Sequence, residues 1–195
     1  MFGSFWPQIK TICVLKNQQW RQGIKSQISW YKKNIKRNDI HNLLYINNKL
    51  KGYTLLRKRT CNINKVKKES KYLLFDTIII DKKCRGKKLS NLIMSFNNSI
   101  IEQSGYFSFL ICNKKFVNFY KKFSWIKLKT NSIVLKDHQF SGHGMVYNKK
   151  NSKLTKNYFY TNRFDFCMDE TCNCLICELI CMLFVWIFIF SIKSS

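Results

Sequence analysis

Between Tyr72 and Trp125 the chain reads strand, basic turn, helix, strand, helix, and this order constrains everything around it. Tyr72 to Ile80 is a near-continuous apolar run, the pattern of a strand buried on both faces. The turn Asp81-Lys82-Lys83-Cys84-Arg85-Gly86-Lys87-Lys88-Leu89-Ser90 follows it. Leu89, Leu92, Ile93, Phe96 and Ile100 then fall at helical spacing, with Gly105 as the stop. Tyr106 to Cys112 reads as the next strand, and Phe116, Phe119, Tyr120 and Phe123 share one face of a short helix. A basic turn between strand and helix gathers free backbone N–H groups, a helix N-terminus and dense positive charge. That combination suits a phosphate-bearing ligand.

The chain has 195 residues, enough for one domain with a proper core. Hydrophobic residues make up 46%, which excludes a disordered polyelectrolyte. The net charge of +25 makes nucleotides, nucleic acid and anionic lipid attractive partners. Lys, Asn and Ile are abundant throughout while Ala is absent, so a chain-wide compositional bias accounts for much of that charge. Charge alone therefore says little about function.

Elsewhere the pattern predicts a strand over Ile9–Leu15 and a helix over Gln18–Ile35, the latter on Trp20, Ile24, Ile28 and Tyr31. Leu43–Ile46 and Gly52–Leu56 read as a hairpin around Asn47-Asn48-Lys49, followed by a basic loop from Arg57 to Ser70. Trp125–Leu128 and Gly144–Tyr147 read as closing strands. Residues 1–150 are expected to form one domain and residues 151–195 a C-terminal extension. Leu175 to Ile192 is 18 residues long with Glu178 as its one charge, at the lower edge of a membrane-spanning length. A membrane anchor, a buried terminal element and an unstructured tail all remain open for it.

Five of the nine cysteines crowd that end: Cys167, Cys172, Cys174, Cys177 and Cys181. They sit in or beside an apolar run, where Cys behaves as a small hydrophobe, and no metal site is expected. An odd count without a regular framework does not describe a secreted disulfide scaffold. Met1–Ile12 lacks the long apolar stretch of a signal peptide, so a reducing cytoplasm is the expectation.

Two motifs carry a resemblance. Arg85-Gly86-Lys87-Lys88-Leu89-Ser90 is similar to Arg/Gln-x-x-Gly-x-Gly/Ala, and Asn113 to Trp125 is similar to Asn-x-x-Ala-x-x-x-Tyr-x-x-x-Gly-Phe, with Asn113 and Tyr120 in register. With the order of elements, these residues resemble the GNAT family, the Gcn5-related N-acetyltransferases, over roughly residues 9–148. Lys88 and Ser124 stand where the family prefers Gly, Ser90 where it prefers Gly or Ala, and Phe116 where it prefers a small residue.

The resemblance implies an α/β fold with a mixed, mainly antiparallel sheet flanked by helices. It implies acetyl-CoA as acyl donor and a primary amine as acceptor, joined directly in a ternary complex. The acyl donor's pyrophosphate would meet the amides of Gly86, Lys87, Lys88, Leu89 and Ser90, beside Arg85 and Asn113. A main-chain N–H of Ile78, Ile79 or Ile80 would face the thioester carbonyl, and which of the three stays open. Tyr120 would protonate the departing thiolate, against a plain role in an aromatic core face.

A general base is harder to read. Asp76 is a carboxylate inside an apolar strand, where it needs a partner or a cavity. It is a candidate base, or the fixer of a neighbouring cation or amide. His41 is a weaker candidate, while His138 and His143 read as structural or exposed. The acceptor itself carries no signature. A GNAT-like module without activity that binds nucleic acid or another polyanion is the alternative function, and a membrane-tethered acyltransferase is a second.

Overall fold

Pro7 in the first turn, with buried side chains at Ile9, Ile12, Cys13 and Lys16, sets a helical period, and α1 spans Trp6–Asn17. The strand expected over Ile9–Leu15 is thus a helix. Ile9, Ile12 and Cys13 bury at i, i+3 and i+4 while Lys10, Thr11 and Val14 stay exposed. The second helix, α2, is shorter than expected and spans Ile24–Asn34. Gly23 at φ 84 stops it, donating its N–H to Asn17 Oδ1 at 2.9 Å, and Trp20 and Ile24 are left exposed.

The computed structural model describes residues 6–64, 69–136, 141–147, 156–168 and 187–192. Strands β1 (Ile40–Ile46) and β2 (Lys49–Ile63) form a hairpin with Ile46 opposite Lys49. Its two-residue turn is Asn47 at φ 48 and Asn48 at φ 59, residues that tolerate left-handed backbone. The basic loop expected from Arg57 is mostly strand: β2 runs to Ile63 and β3 starts at Glu69, spanning Glu69–Ile80. Charge disguised the alternation. Arg57, Arg59 and Cys61 are buried while Lys58 and Thr60 are less so, and Arg59 finds carbonyl acceptors at Lys58 (2.7 Å) and Met168 (3.2 Å).

Helix α3 (Leu89–Ser104) ends at Gly105, φ 72, and β4 (Phe107–Cys112) follows. Next come α4 (Val117–Lys121), β5 (Ile126–Lys127), β6 (Ile133–Lys136), β7 (His143–Tyr147), α5 (Lys156–Thr161), β8 (Phe164–Cys167) and β9 (Ile187–Ile192). Pairing is antiparallel for β1/β2, β2/β8, β4/β7 and β5/β7, and parallel for β1/β9, β3/β4 and β6/β8. The architecture is α/β with a mixed, mainly antiparallel sheet flanked by helices.

The chain divides into two units. One runs through Arg57, takes up Asp76–Ile93 and includes residues 187–192; the other holds Lys58–Phe75 and the described residues from Met94 to Met168. In the first unit Leu43, Tyr53, Leu55 and Ile79 pack with Ile9, Ile12, Cys13 and Tyr31 of α1 and α2. Their strand neighbours Leu44 and Ile80 pack with Ile93, Leu89 and Leu92 of α3 on the opposite face. In the second unit Tyr72, Phe107, Phe109, Phe159, Phe164 and Phe166 make an aromatic core. Phe159, Phe164 and Phe166 of that core, with Tyr158 and Met168 packed against it, come from the stretch the sequence assigned to an extension.

No helix among the described residues is long and apolar enough to cross a membrane. Residues 187–192 of the C-terminal apolar segment form β9, parallel to β1. Residues 175–186, with Cys172, Cys174, Cys177 and Cys181, lie outside the described residues, as does His138.

Candidate active site

In the first unit, Asp81 closes β3 and organises the basic turn. Its N–H donates to the Lys51 carbonyl at 2.8 Å, and its carboxylate accepts from Lys51 Nζ at 2.7 Å and from the Lys83 N–H at 3.0 Å. Burial would raise this carboxyl, but those two donors outweigh it and hold Asp81 below the usual carboxylate range. The turn is fastened to the end of α1 by two glutamines. The Lys82 N–H donates to Gln18 Oε1 at 3.0 Å, and Arg85 Nη2 donates to Gln19 Oε1 at 2.9 Å. Arg85 Nε also reaches the Ile80 carbonyl at 3.3 Å. Arg85 therefore acts on the loop's shape, beyond its charge.

After Arg85 the backbone opens. Gly86 takes φ 82 and Lys88 takes φ 58. The amides of Asn91 and Leu92 turn back onto the Lys88 carbonyl. The amides of Gly86, Lys87, Lys88, Leu89 and Ser90 donate to no described residue. Five successive free N–H groups thus precede and open a 16-residue helix with no acidic residue in its first turn. Lys82, Lys83, Arg85, Lys87 and Lys88 around them are exposed. Main-chain donors, a helix N-terminus and exposed cations meet here in a cradle whose chemistry suits an anion.

The two departures at family glycines have a common explanation. Lys88 at φ 58 and Ser124 at φ 64 both hold the left-handed conformation that glycine ordinarily supplies. The cradle is kept and the strain is tolerated, at about 1 kcal/mol for a residue with a Cβ. Lys88→Gly should therefore stabilise the fold by about 1 kcal/mol, raising Tm by roughly 2–4 °C in a thermal melt. A lower Tm would mean that the Lys88 side chain, not its backbone, matters to the turn.

The strand beside the cradle is irregular where it matters. Pairing of β3 with β4 covers Tyr72–Leu74 and stops. Asp76 and Thr77 both line one cavity of the first unit, and Thr77 Oγ1 lies 3.5 Å from Asp76 Oδ2. At the end of the strand the Asp81 N–H bond to Lys51 fixes the parity. The Ile79 amide points toward β2, and the amides of Ile78 and Ile80 point away from it. Ile79 also buries its side chain among α1 and α2, while Ile78 and Ile80 pack under α3. Of the three candidate amides, those of Ile78 and Ile80 are the ones not directed at β2.

The cavity, about 260 Å³, is lined by Lys16, Trp20, Gln22, Gln27, Trp30, Asp76 and Thr77. Asp76 keeps its side chain three-quarters buried, with Oδ1 4.0 Å from Arg57 Nη1. Lys16, which sequence reasoning passed over, is only 6% exposed. Its ammonium lies over Trp30 at 4.3 Å, Tyr31 at 5.0 Å and Trp20 at 5.8 Å. The available signal was a lysine one α-helical turn after Ile12 and Cys13, on the face that buries.

His41 is not on this cavity's lining. It is 1% exposed, with Nδ1 2.8 Å from the Tyr53 hydroxyl, which also receives the Tyr31 hydroxyl at 2.6 Å. Burial first, and Lys16 second, push the imidazole down to about 4, so it is a neutral core residue.

Asn113 and Tyr120 belong to the second unit. Asn113 is exposed before the single turn Lys114–Phe116. Tyr120 is 9% exposed and meets Phe75 edge-on at 6.3 Å, with Trp125 at 6.0 Å. Its hydroxyl has no hydrogen-bond partner among the described residues. Burial pushes this phenol well above the usual tyrosine range, so it stays protonated. Phe116 was expected on the same core face but is 46% exposed; Val117 takes the buried position. His143 is half-buried in β7.

No family model matches the sequence, and no curated protein matches it. Solved structures that resemble the fold include the GNAT family N-acetyltransferase YhbS from Escherichia coli in complex with CoA. The identity there is 11% over 61% of this chain and 61% of that one, with a TM-score of 0.44. The Bacillus subtilis N-acetyltransferase YlbP in complex with coenzyme A aligns at 13% identity over 65% and 80% of the two chains, TM-score 0.44. The AtaT toxin bound to the C-terminus of the antitoxin AtaR and acetyl-CoA aligns at 14% identity over 51% and 59%, TM-score 0.39. The chain thus spans about three-fifths of the AtaT and YhbS structures it resembles.

Proposed function

We propose that this protein is an acyl-CoA-dependent N-acyltransferase that moves an acetyl group from acetyl-CoA to a primary amine. The observation that carries this reading is the run of five free amides from Gly86 to Ser90 at the start of α3, directly after β3. A pyrophosphate is a compact dianion that such a cradle fits, and Lys87 and Lys88 add exposed charge. The motif residues Arg85 and Asn113, and the CoA-bound structures of similar fold, support the same ligand.

In this reading the outward amide of Ile78 or Ile80 holds the developing oxyanion of the thioester carbonyl. Asp76 takes a proton from the incoming ammonium. The amine nitrogen then bonds to the carbonyl carbon, the carbon–sulfur bond breaks, and Tyr120 gives its proton to the sulfur and is returned to phenol by the second proton that the nitrogen sheds on becoming an amide. No side chain is acylated on the way.

Ser90→Asp tests the cradle. A carboxylate in the first turn of α3 should stabilise the fold by about 0.3–1 kcal/mol through the dipole. It should also occupy the free amides and repel phosphate, weakening acetyl-CoA on the order of 100-fold in calorimetric titration. Opposite signs for stability and affinity separate this from unfolding. Folded wild-type protein that takes up no acetyl-CoA would overturn the proposal.

A further inference from the structure

The cavity over Asp76 carries two charges of opposite sign that do not satisfy each other. Lys16 is more than nine-tenths buried, and its ammonium has no hydrogen-bond or ion-pair partner among the described residues. Aromatic rings surround it instead: Trp30, Tyr31 and Trp20. Cation–π contact offsets part of its desolvation but leaves its N–H donors unfilled. Burial, ahead of the opposing pull of Asp76, holds this lysine below its usual range, the mark of a cation short of an anion.

The cage is a built feature. Gln27, itself buried, donates to the Trp20 carbonyl at 3.2 Å and pins the turn between α1 and α2. Asp76 sits on β3 with Arg57 beside it at 4.0 Å. The space therefore offers a cation at the helical end and a carboxylate at the strand end, with Trp20 and Trp30 in its walls. Its volume of about 260 Å³ suits a molecule of amino-acid size and is small for a drug-sized one.

Resting on the acyltransferase reading, we infer that the acceptor is a small amino-carboxylic acid whose carboxylate docks on Lys16 while its ammonium faces Asp76. A simple amine would leave Lys16 unpaired, and a diamine would place a second cation against it. The ligand's ammonium passes one proton to Asp76 and becomes the nucleophile; its carboxylate takes no part in bond making.

The test uses the full chain and a panel of α-amino acids, each matched with its decarboxylated amine, such as leucine with isoamylamine. Thiol release from acetyl-CoA gives kcat/KM, and intrinsic tryptophan fluorescence, in a variant with Trp6, Trp125 and Trp186 changed to Phe so that Trp20 and Trp30 report alone, gives binding without turnover. The preferred acid should exceed its amine by about 10- to 100-fold, the worth of one hydrogen-bonded charge pair. Lys16→Met should collapse that ratio toward one, and Lys16→Arg should retain most of it. Replacing an unpaired buried cation with a thioether of similar length is tolerated by folds, and a thermal melt checks it.

Amines that match or outpace their acids, an unchanged ratio in Lys16→Met, or no saturable fluorescence response to any acid would each overturn the acceptor assignment. Those results leave the enzyme reading standing when calorimetry still detects acetyl-CoA. Absence of acetyl-CoA binding sinks the enzyme reading instead, and a saturable acid response would then still support Lys16 as the carboxylate site.

Discussion

Phe166→Ala should destabilise the protein by about 3–5 kcal/mol, the range for deleting a buried aromatic side chain. Phe166 is fully buried. Its ring stacks on Phe109 at 3.8 Å, meets Tyr72 edge-on at 5.0 Å and lies against Phe164 at 5.7 Å. The strand that carries it pairs on both sides, Cys61 opposite Phe166 in β2 and Leu135 opposite Phe166 in β6. Rings anchored by two ladders cannot slide in to fill the gap, so the cavity stays and the upper part of the range is expected. Against a total stability of about 5–15 kcal/mol, most of the margin goes. Urea unfolding should give a much lower midpoint with little change in slope. By the same reasoning a chain cut at residue 160 loses Phe164 and Phe166 and should not fold. A loss under 1 kcal/mol would mean that β8 is not part of the cooperative core.

That core was the least legible part of the sequence, for a physical reason. Phe159, Phe164 and Phe166 sit in a stretch that is polar between them and short of strand length, so periodicity had little to work with. Only pairing with distant residues such as Cys61 gives them a face to bury. The extension of β2 was hidden differently, because Arg57 and Arg59 bury cationic heads whose partners come from elsewhere in the fold. By contrast Tyr72–Ile80 and α3 announced themselves, since both are set by local pattern: a continuous apolar run, then a 3.6-residue period ended by Gly105.

The site divided along the same line. The cradle depends on chain-local backbone geometry, so Arg85 to Ser90 were legible. Even the departures at Lys88 and Ser124 proved informative, since each falls at a positive φ, one in this turn and one after α4. Asp76 was legible because a carboxylate is out of place in an apolar strand. Lys16 and Trp30 were not, because a lysine becomes a buried unpaired cation only once α1 and α2 have packed.

Asp76→Asn should lower kcat/KM about 10³-fold at neutral pH while leaving acetyl-CoA affinity intact. The substitution keeps the shape of the side chain, so the cavity is retained. What it removes is the ability to accept a proton, and an ammonium acceptor then waits for solvent to deprotonate it. The variant's rate should consequently climb with pH and approach wild type as the amine's own pKa is neared, whereas wild type should already be fast at neutrality. Folding should change little. Arg57 loses an ion pair at 4.0 Å but keeps its contact with the Trp30 ring at 5.5 Å and its bond to the Asn34 carbonyl at 3.4 Å. A partly exposed pair of this kind is worth about 0–1 kcal/mol. The pH profile decides between the two roles of Asp76. A deficit that shrinks as pH rises identifies the group that takes the proton. A deficit constant at every pH identifies a carboxylate that only positions Arg57, and the base must then be sought among other groups on the cavity.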